Sequence, residues 1–248
     1  MGILQNENAI PSASGGAGFY DYQIEQSVRF DAASSSTLRR TPSSAGNRTT
    51  WSFSAWIKRS NLGAFQMILE AGSGSVAVDS RLFHAFTDGD AMEASSGTVN
   101  FGSSSALLRD TGGWNHIFIK LTGGTETFYL NGTSIKSHSI SGNTAVNSTV
   151  AHGIGCRSNT SSNSFGGYMA EVLLFDGTAY DPTDVTDVKN GVLVPADPSS
   201  LTFGTNGVHL KFENASDLGN DSSGNNNDYT TGNMGADAQV LDSPTFGS

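Results

Sequence analysis

The chain has one cysteine and six prolines among 248 residues, and no apolar run long enough to cross a bilayer. With Cys156 alone, neither an intrachain disulfide nor a thiolate metal cluster within one chain can form, and a lone Cys in a strand context is usually a small buried hydrophobe. Basic residues are scarce: 13 Lys and Arg face 23 Asp and Glu, a net charge of −10 that would be repelled by nucleic acid and by anionic membrane. The opening Met1–Asn8 lacks the basic and apolar segments of a secretory signal, so the expectation is a protein that is not secreted. The long runs of Leu, Ala, Glu and Lys that build helical bundles are also missing.

What is abundant is Gly, Ser, Thr and Asn, around an apolar share of only 36%. Gly and Asn accept positive φ and Ser and Asn close local hydrogen bonds, a composition suited to many short strands joined by turns. The segment Thr50–Lys58 places Trp51, Phe53, Ala55 and Ile57 on one face and Ser52, Ser54, Trp56 and Lys58 on the other, the period of two of a half-buried strand. Further turn-bounded strands are predicted at Ser27–Asp31, Phe65–Leu69, Arg81–Phe86, Thr98–Phe101, Trp114–Leu121, Glu126–Leu130 and Tyr168–Phe175. Thr122-Gly-Gly-Thr125 reads as a hairpin turn. One short helix is predicted near 181–190, with Asp181 as its cap, Pro182 at its first position, Val185 and Val188 on one face and Asn190-Gly191 at its end. The fold class is therefore all-β, an antiparallel two-sheet sandwich. It divides into an N-terminal arm (1–22), a sandwich (23–228) and a polar C-terminal tail (229–248). Charge is uneven: residues 1–170 are balanced, and 171–248 set twelve acidic groups against Lys189 and Lys211. That acidic third is a solvated surface or a face for a basic partner or cation.

Three segments in order resemble the laminin G-like and pentraxin-like branch of the concanavalin A-like lectin and glucanase superfamily. They are Val28-Arg-Phe-Asp31 leading to Trp51–Lys58, then Trp114-Asn-His-Ile with Phe128-Tyr-Leu-Asn-Gly132, and then Phe165-Gly-Gly-Tyr-Met-Ala-Glu-Val172. The resemblance implies a jelly roll. A fourth piece, Gly207–Glu213 followed by Asp221–Asp228, is similar to the strand and Asp-Ser-Ser-Gly-Asn loop that usually open such a domain, but here it closes it. In jelly rolls the terminal strands commonly lie side by side, so Gly207–Glu213 is expected in the same sandwich as Ser27–Asp31. More narrowly, Tyr22–Phe30, Arg40–Arg48 and Asp242–Phe246 resemble virion proteins of marine tailed phages. That likeness implies an exposed particle component assembled in a reducing host cytoplasm, where disulfides are rare.

Glycosidases of this fold carry a Glu-x-Asp-x-x-Glu strand, and a retaining pair needs carboxyls about 5–5.5 Å apart. The nearest string here, Asp88-Gly-Asp-Ala-Met-Glu93, departs at its first residue and reads as a turn at Gly89, so no catalytic residue is assigned. The five histidines are scattered without metal-protease spacing, and His116 reads as a packed, hydrogen-bonded side chain. Asp217, Asn220, Asp221, Asn225 and Asp228 form an oxygen-rich loop, a candidate for Ca²⁺ but read first as a self-satisfied Asx turn; no other cofactor is indicated. Trp56 is the candidate sugar-stacking residue. Tyr20 and Tyr22 are the candidate assembly residues of the arm, since aromatics gain most on burial at an interface. The expected role is a non-enzymatic virion protein (head decoration, knob or fibre) whose partners are capsid or tail proteins. It is expected as a homo-oligomer, a trimer by analogy with fibres, with a glycan-binding host-adhesion module as the alternative and a glycosidase disfavoured.

Overall fold

The computed structural model describes residues 18–74 and 76–246. Two antiparallel sheets face each other. The first runs, in spatial order, β10 (Thr133–Ser139), β9 (Thr125–Leu130), β8 (Asn115–Thr122), β3 (Trp51–Arg59), β12 (Gly167–Asp176), β1 (Ser27–Phe30) and β17 (Gln239–Val240), and β15 (Val208–Leu210) also pairs with β12. The second runs β16 (Thr230–Gly232), β2 (Thr37–Arg40), β11 (His152–Ile154), β4 (Gln66–Gly72), β5 (Arg81–Phe86), β6 (Ala91–Ser95) and β7 (Asn100–Leu107). A separate hairpin joins β13 (Thr186–Lys189) to β14 (Val192–Pro195).

Alternation decides which residues enter the core. Trp51, Phe53, Ala55 and Ile57 of β3 lie between the sheets with Ile117 and Ile119 of β8, Phe128 of β9, Ile68 of β4 and Leu82 and Phe86 of β5. Turn chemistry sets the register: Gly123-Gly124 and Asn131-Gly132 both hold positive φ, as two-residue type I′ hairpin turns require. β15 pairs with β12 through Val172–Leu174 and β1 pairs with it through Gly167–Met169, so the displaced opening strand joins the same sheet as Ser27–Phe30. Its Val208, Leu210 and Phe212 all enter the core.

The outer face of the first sheet is covered in turn. Val185 and Phe203 pack on Phe118, Leu173 and Phe175. Beside them, Tyr22, Ile24 and Leu193 close over Trp56, Ala170 and Trp114.

Two boundaries differ from the sequence reading. The expected helix at 181–190 is one 3₁₀ turn, Pro182–Asp184, followed by β13. Asp184 accepts from the Asp181 amide at 2.7 Å, as a cap should, but Val185, Thr186 and Val188 are β-branched. Asn190-Gly191 then closes a hairpin at φ 52° and 82° where a helix end was expected. The polar tail 229–248 is likewise part of the sandwich as far as it is described. β16 extends the second sheet, β17 pairs with β1, and Tyr229 is buried. Short polar strands gain order there because neighbouring edges supply their hydrogen-bond partners. Of the arm, residues 1–17 lie outside the described residues.

Candidate functional site

Each titratable cluster singled out in the sequence is tied into the fold. In Asp88–Glu93, Asp88 is exposed at the turn. Asp90 is buried at φ 66°, where its carboxylate accepts from the Gly63 amide (2.9 Å), Arg59 Nη1 (3.1 Å) and Arg109 Nε (3.3 Å). These donors, the Gly63 amide foremost, hold its carboxyl below the usual range against the opposing effect of burial. Glu93 sits half-buried on β6, where burial raises its carboxyl. The string thus divides into a turn, an ion pair and a strand position. Asp90→Asn should lower stability by about 2 kcal/mol, because the amide leaves the buried Arg59 without its counter-charge. Urea unfolding checks this, and an unchanged midpoint would contradict it.

The oxygen-rich loop is an Asx turn. Asp221 Oδ1 accepts from the amides of His209 and Ser223 (both 2.9 Å), and its Oδ2 accepts from the Asn227 amide (2.9 Å) and Ser223 Oγ (2.8 Å). Asp228 accepts from the Asp221 amide at 2.8 Å, and the Asn225 carboxamide donates to the carbonyls of Gly204 and Gly207. Both Asp221 oxygens are engaged by N–H and O–H donors, while Asp217 is exposed outside this network. Among the described residues no group of three or more His, Cys, Asp or Glu is arranged to hold a metal ion. Of the Ca²⁺ candidates Asp217, Asp221, Asn225 and Asp228, the structure joins Asp221, Asn225 and Asp228 in this turn and leaves Asp217 apart.

Trp56 is also corrected: it is only 5% exposed beneath Tyr22, Ile24 and Leu193, so it cannot stack on a sugar. The polar face of β3 is buried because a second layer of chain lies on it. Trp114 beside it is half-buried, and its indole donates to Asp242 at 3.1 Å. His116 is buried 2.8 Å from Ser54 Oγ, and burial pushes its ring down to about 3. Cys156 is buried too, its thiol pushed up to about 11 by desolvation.

Tyr22 is used within the chain. Its hydroxyl donates to Glu171 Oε1 at 2.7 Å, and His209 Nε2 lies 2.5 Å from the same oxygen. Burial and then the Glu171 charge drive the Tyr22 phenol well above its usual range. Glu171 stands at φ 49°, where β12 bulges against β3 between Ala170 and Leu173, a conformation uncommon for a side-chain-bearing residue and concentrated at sites that bind or switch. The His209 ring stacks on Phe203, with centroids 5.6 Å apart. Two clefts flank Tyr22. One is lined by Gln23, Glu25, Gln26, Glu171, Lys211 and Glu213, and the other by Asp21, Asp187, Lys189, Val194 and Asp197. Tyr20 meets only Phe19, edge to face at 5.0 Å, in the ring contacts described.

The Tyr22–Glu171–His209 cluster was not singled out from sequence. Its members are 149 and 38 positions apart, and the bulge that turns Glu171 outward leaves no periodic trace. The one available signal was Ala170-Glu171-Val172 inside the third family-like segment.

Two facing antiparallel sheets with a covered outer layer define a lectin-like jelly roll. The chain belongs to the concanavalin A-like lectin/glucanases superfamily, whose Laminin G 3 family model matches residues 31–186. Among solved structures it is similar to a putative carbohydrate binding protein from Bacteroides ovatus, at a TM-score of 0.61 and 16% identity over 85% of this chain. It spans 58% of that protein, less than two thirds of its length. It is also similar to a sialidase of Streptococcus pneumoniae, at a TM-score of 0.50 and 13% identity, covering 71% of this chain and 28% of that one. No curated protein matches the chain.

Proposed function

We propose that this chain is a non-catalytic, lectin-like module displayed on a virion surface, as head decoration, knob or fibre. The observation that carries the reading is how the phage-like strings serve the fold. The Ile24 amide donates to Thr245 Oγ1 (2.9 Å), which donates back to the Ile24 carbonyl (3.0 Å). Ser27 Oγ donates to the Asp242 carbonyl, and Lys58 pairs with the Asp242 carboxylate. Tyr22–Phe30 and Asp242–Phe246, two of the strings that resemble virion proteins, are thus one structural unit that closes an edge of the first sheet. The absence of a catalytic role is supported by the fate of the buried carboxylates. Glu70 pairs with Arg81 and Arg157, Glu126 lies against His84 and His138, and Asp176 accepts from the amides of Asn47 and Asn206. Each acts as a strut.

The test is the protein composition of purified particles. Stoichiometric copies of the chain, labelled by antibody on intact virions, are expected. Its recovery only in the soluble fraction of the lysate would overturn the reading.

A second reading, glycan binding at the host surface, is favoured by the cleft that sets the carboxamides of Gln23 and Gln26 beside Glu25, Lys211 and Glu213. Such a set of donors and acceptors suits sugar hydroxyls. On a glycan array, binding by the intact chain that Lys211→Ala weakens about tenfold, roughly 1.4 kcal/mol, would support it. A blank array would remove it and leave the display reading standing.

A further inference from the structure

We propose that β13 is a self-complementary edge through which two copies of this chain pair about a two-fold axis, forming a continuous four-stranded sheet β14–β13–β13–β14. The juxtaposition that points there is Asp187-Val188-Lys189 on an unpartnered strand edge. Among the described residues β13 pairs only with β14. The turn Asn190-Gly191 makes Lys189–Val192 and Asp187–Val194 the pairs that exchange backbone hydrogen bonds, so the N–H and C=O of Val188 point away from β14. The Val188 amide instead bonds the Asp187 carboxylate at 2.7 Å, a local stopgap for a missing strand. On the opposite side of the hairpin, the outward position Pro195 lacks an N–H, as guarded sheet edges do. β13 has no proline, and Val188 and Val192 are 61% and 51% exposed.

Charge identifies the occupant. If β13 meets a second β13 antiparallel and centred on Val188, Val188 faces its mate and exchanges both backbone hydrogen bonds with it. Asp187 of each copy then stands opposite Lys189 of the other, in a non-hydrogen-bonded pair where side chains approach most closely. A pattern of acid, β-branched residue and base reads the same from either copy, as a two-fold contact demands. Lys189 is the only base on this hairpin and one of two in the acidic stretch 171–248, so an unrelated acidic partner would be repelled by its surroundings. On pairing, Val188 would transfer its N–H from Asp187 to the mate's carbonyl, and Lys189 would exchange its exposed partner Asp21, now 2.6 Å away, for the mate's freed Asp187 carboxylate. The contact is small, so the dimer forms at high local concentration, as among neighbours on an assembled surface, and its two-fold symmetry replaces the three-fold anticipated from fibres.

The experiment is sedimentation of the full chain from about 10 μM to 1 mM, with concentration-dependent dimers expected at the upper end, in the range of weak and transient contacts. Asp187→Lys and Lys189→Asp each place like charges opposite each other and should weaken dimerisation by about tenfold or more. The double variant D187K/K189D restores the complementary pattern and should restore the dimer, and an equimolar mixture of the two single variants should form heterodimers. Val188→Pro, at an exposed position, removes the edge N–H and should abolish pairing while leaving the melting transition in place. Monomers throughout the range, or single charge variants that dimerise as well as the parent, would overturn the proposal. So would dimers that appear only after residues 1–17 are deleted, since the chain's own segment would then be the occupant.

Discussion

A chain ending at Thr205 should give no cooperative unfolding transition. The truncation removes β15, β16 and β17, and with them Val208, Leu210, Phe212, Leu218, Tyr229 and Ala238 from the central core. β12 would lose its partner along Val172–Leu174, β2 would lose β16, and β1 would lose β17. At about 25 cal/mol per Å² of apolar surface, exposing the core against those strands costs several kcal/mol, comparable with the whole stability of a domain. Calorimetry and near-ultraviolet circular dichroism would read the loss. A truncated chain melting cooperatively at the parent temperature would contradict it. Leu210→Ala in the full chain, expected to cost about 2–5 kcal/mol, tests the same strand without deleting it.

Acidification from pH 7 to about 4 should lower stability by several kcal/mol, since each displaced pKa unit is worth about 1.4 kcal/mol. His116 and His152 are buried, and desolvation holds their rings near 3 and 4 respectively, below the ordinary value of 6.5. A histidine depressed in this way contributes stability in full above about pH 6.5. The contribution is lost as pH falls, because the unfolded chain takes up the proton that the folded chain refuses. Glu126 acts in the same direction lower down. Burial alone would raise it, but His84 and His138, each with a ring nitrogen 3.0 Å from a carboxylate oxygen, bring it to about 2. Its contribution is present above about 4.5 and fades between there and 2. Urea midpoints at pH 7, 5.5 and 4.5 check the slope, and His116→Gln should flatten it. Equal midpoints at pH 7 and 4.5 in the parent chain would contradict the assignment.

The expectation for a virion protein rests on short strings whose role in the fold is now clear, whereas the superfamily rests on a match across residues 31–186. Both readings leave the same surfaces open to a partner, the clefts beside Tyr22 and the free edge of β13. These surfaces lie on the layer covering the first sheet, away from the packed interior.

The sequence by itself determined the class of fold, because alternation with a period of two and paired turn residues are local properties. Trp51, Phe53, Ala55 and Ile57 could be assigned to a core before any partner strand was known, and Val208, Leu210 and Phe212 could be assigned to the same sandwich. Only the tertiary structure decided what happens on the second face of a strand. Trp56 has the pattern of an exposed residue, yet the segment that buries it begins some thirty positions upstream and returns through Leu193. Val185 and Val188 share a face only at helical spacing, and it is the Asn190-Gly191 turn and pairing with β14 that put the second of them in a strand, leaving Val185 buried and Val188 exposed. Asp221 and Asp90 look like ligands or acids in a string of letters. Their lone pairs are committed to amides and guanidinium groups brought in from elsewhere in the chain, and no spacing within the string reveals that. Short-range periodicity follows from the geometry of the backbone, whereas burial, ion pairing and the bulge at Glu171 depend on which distant segments meet.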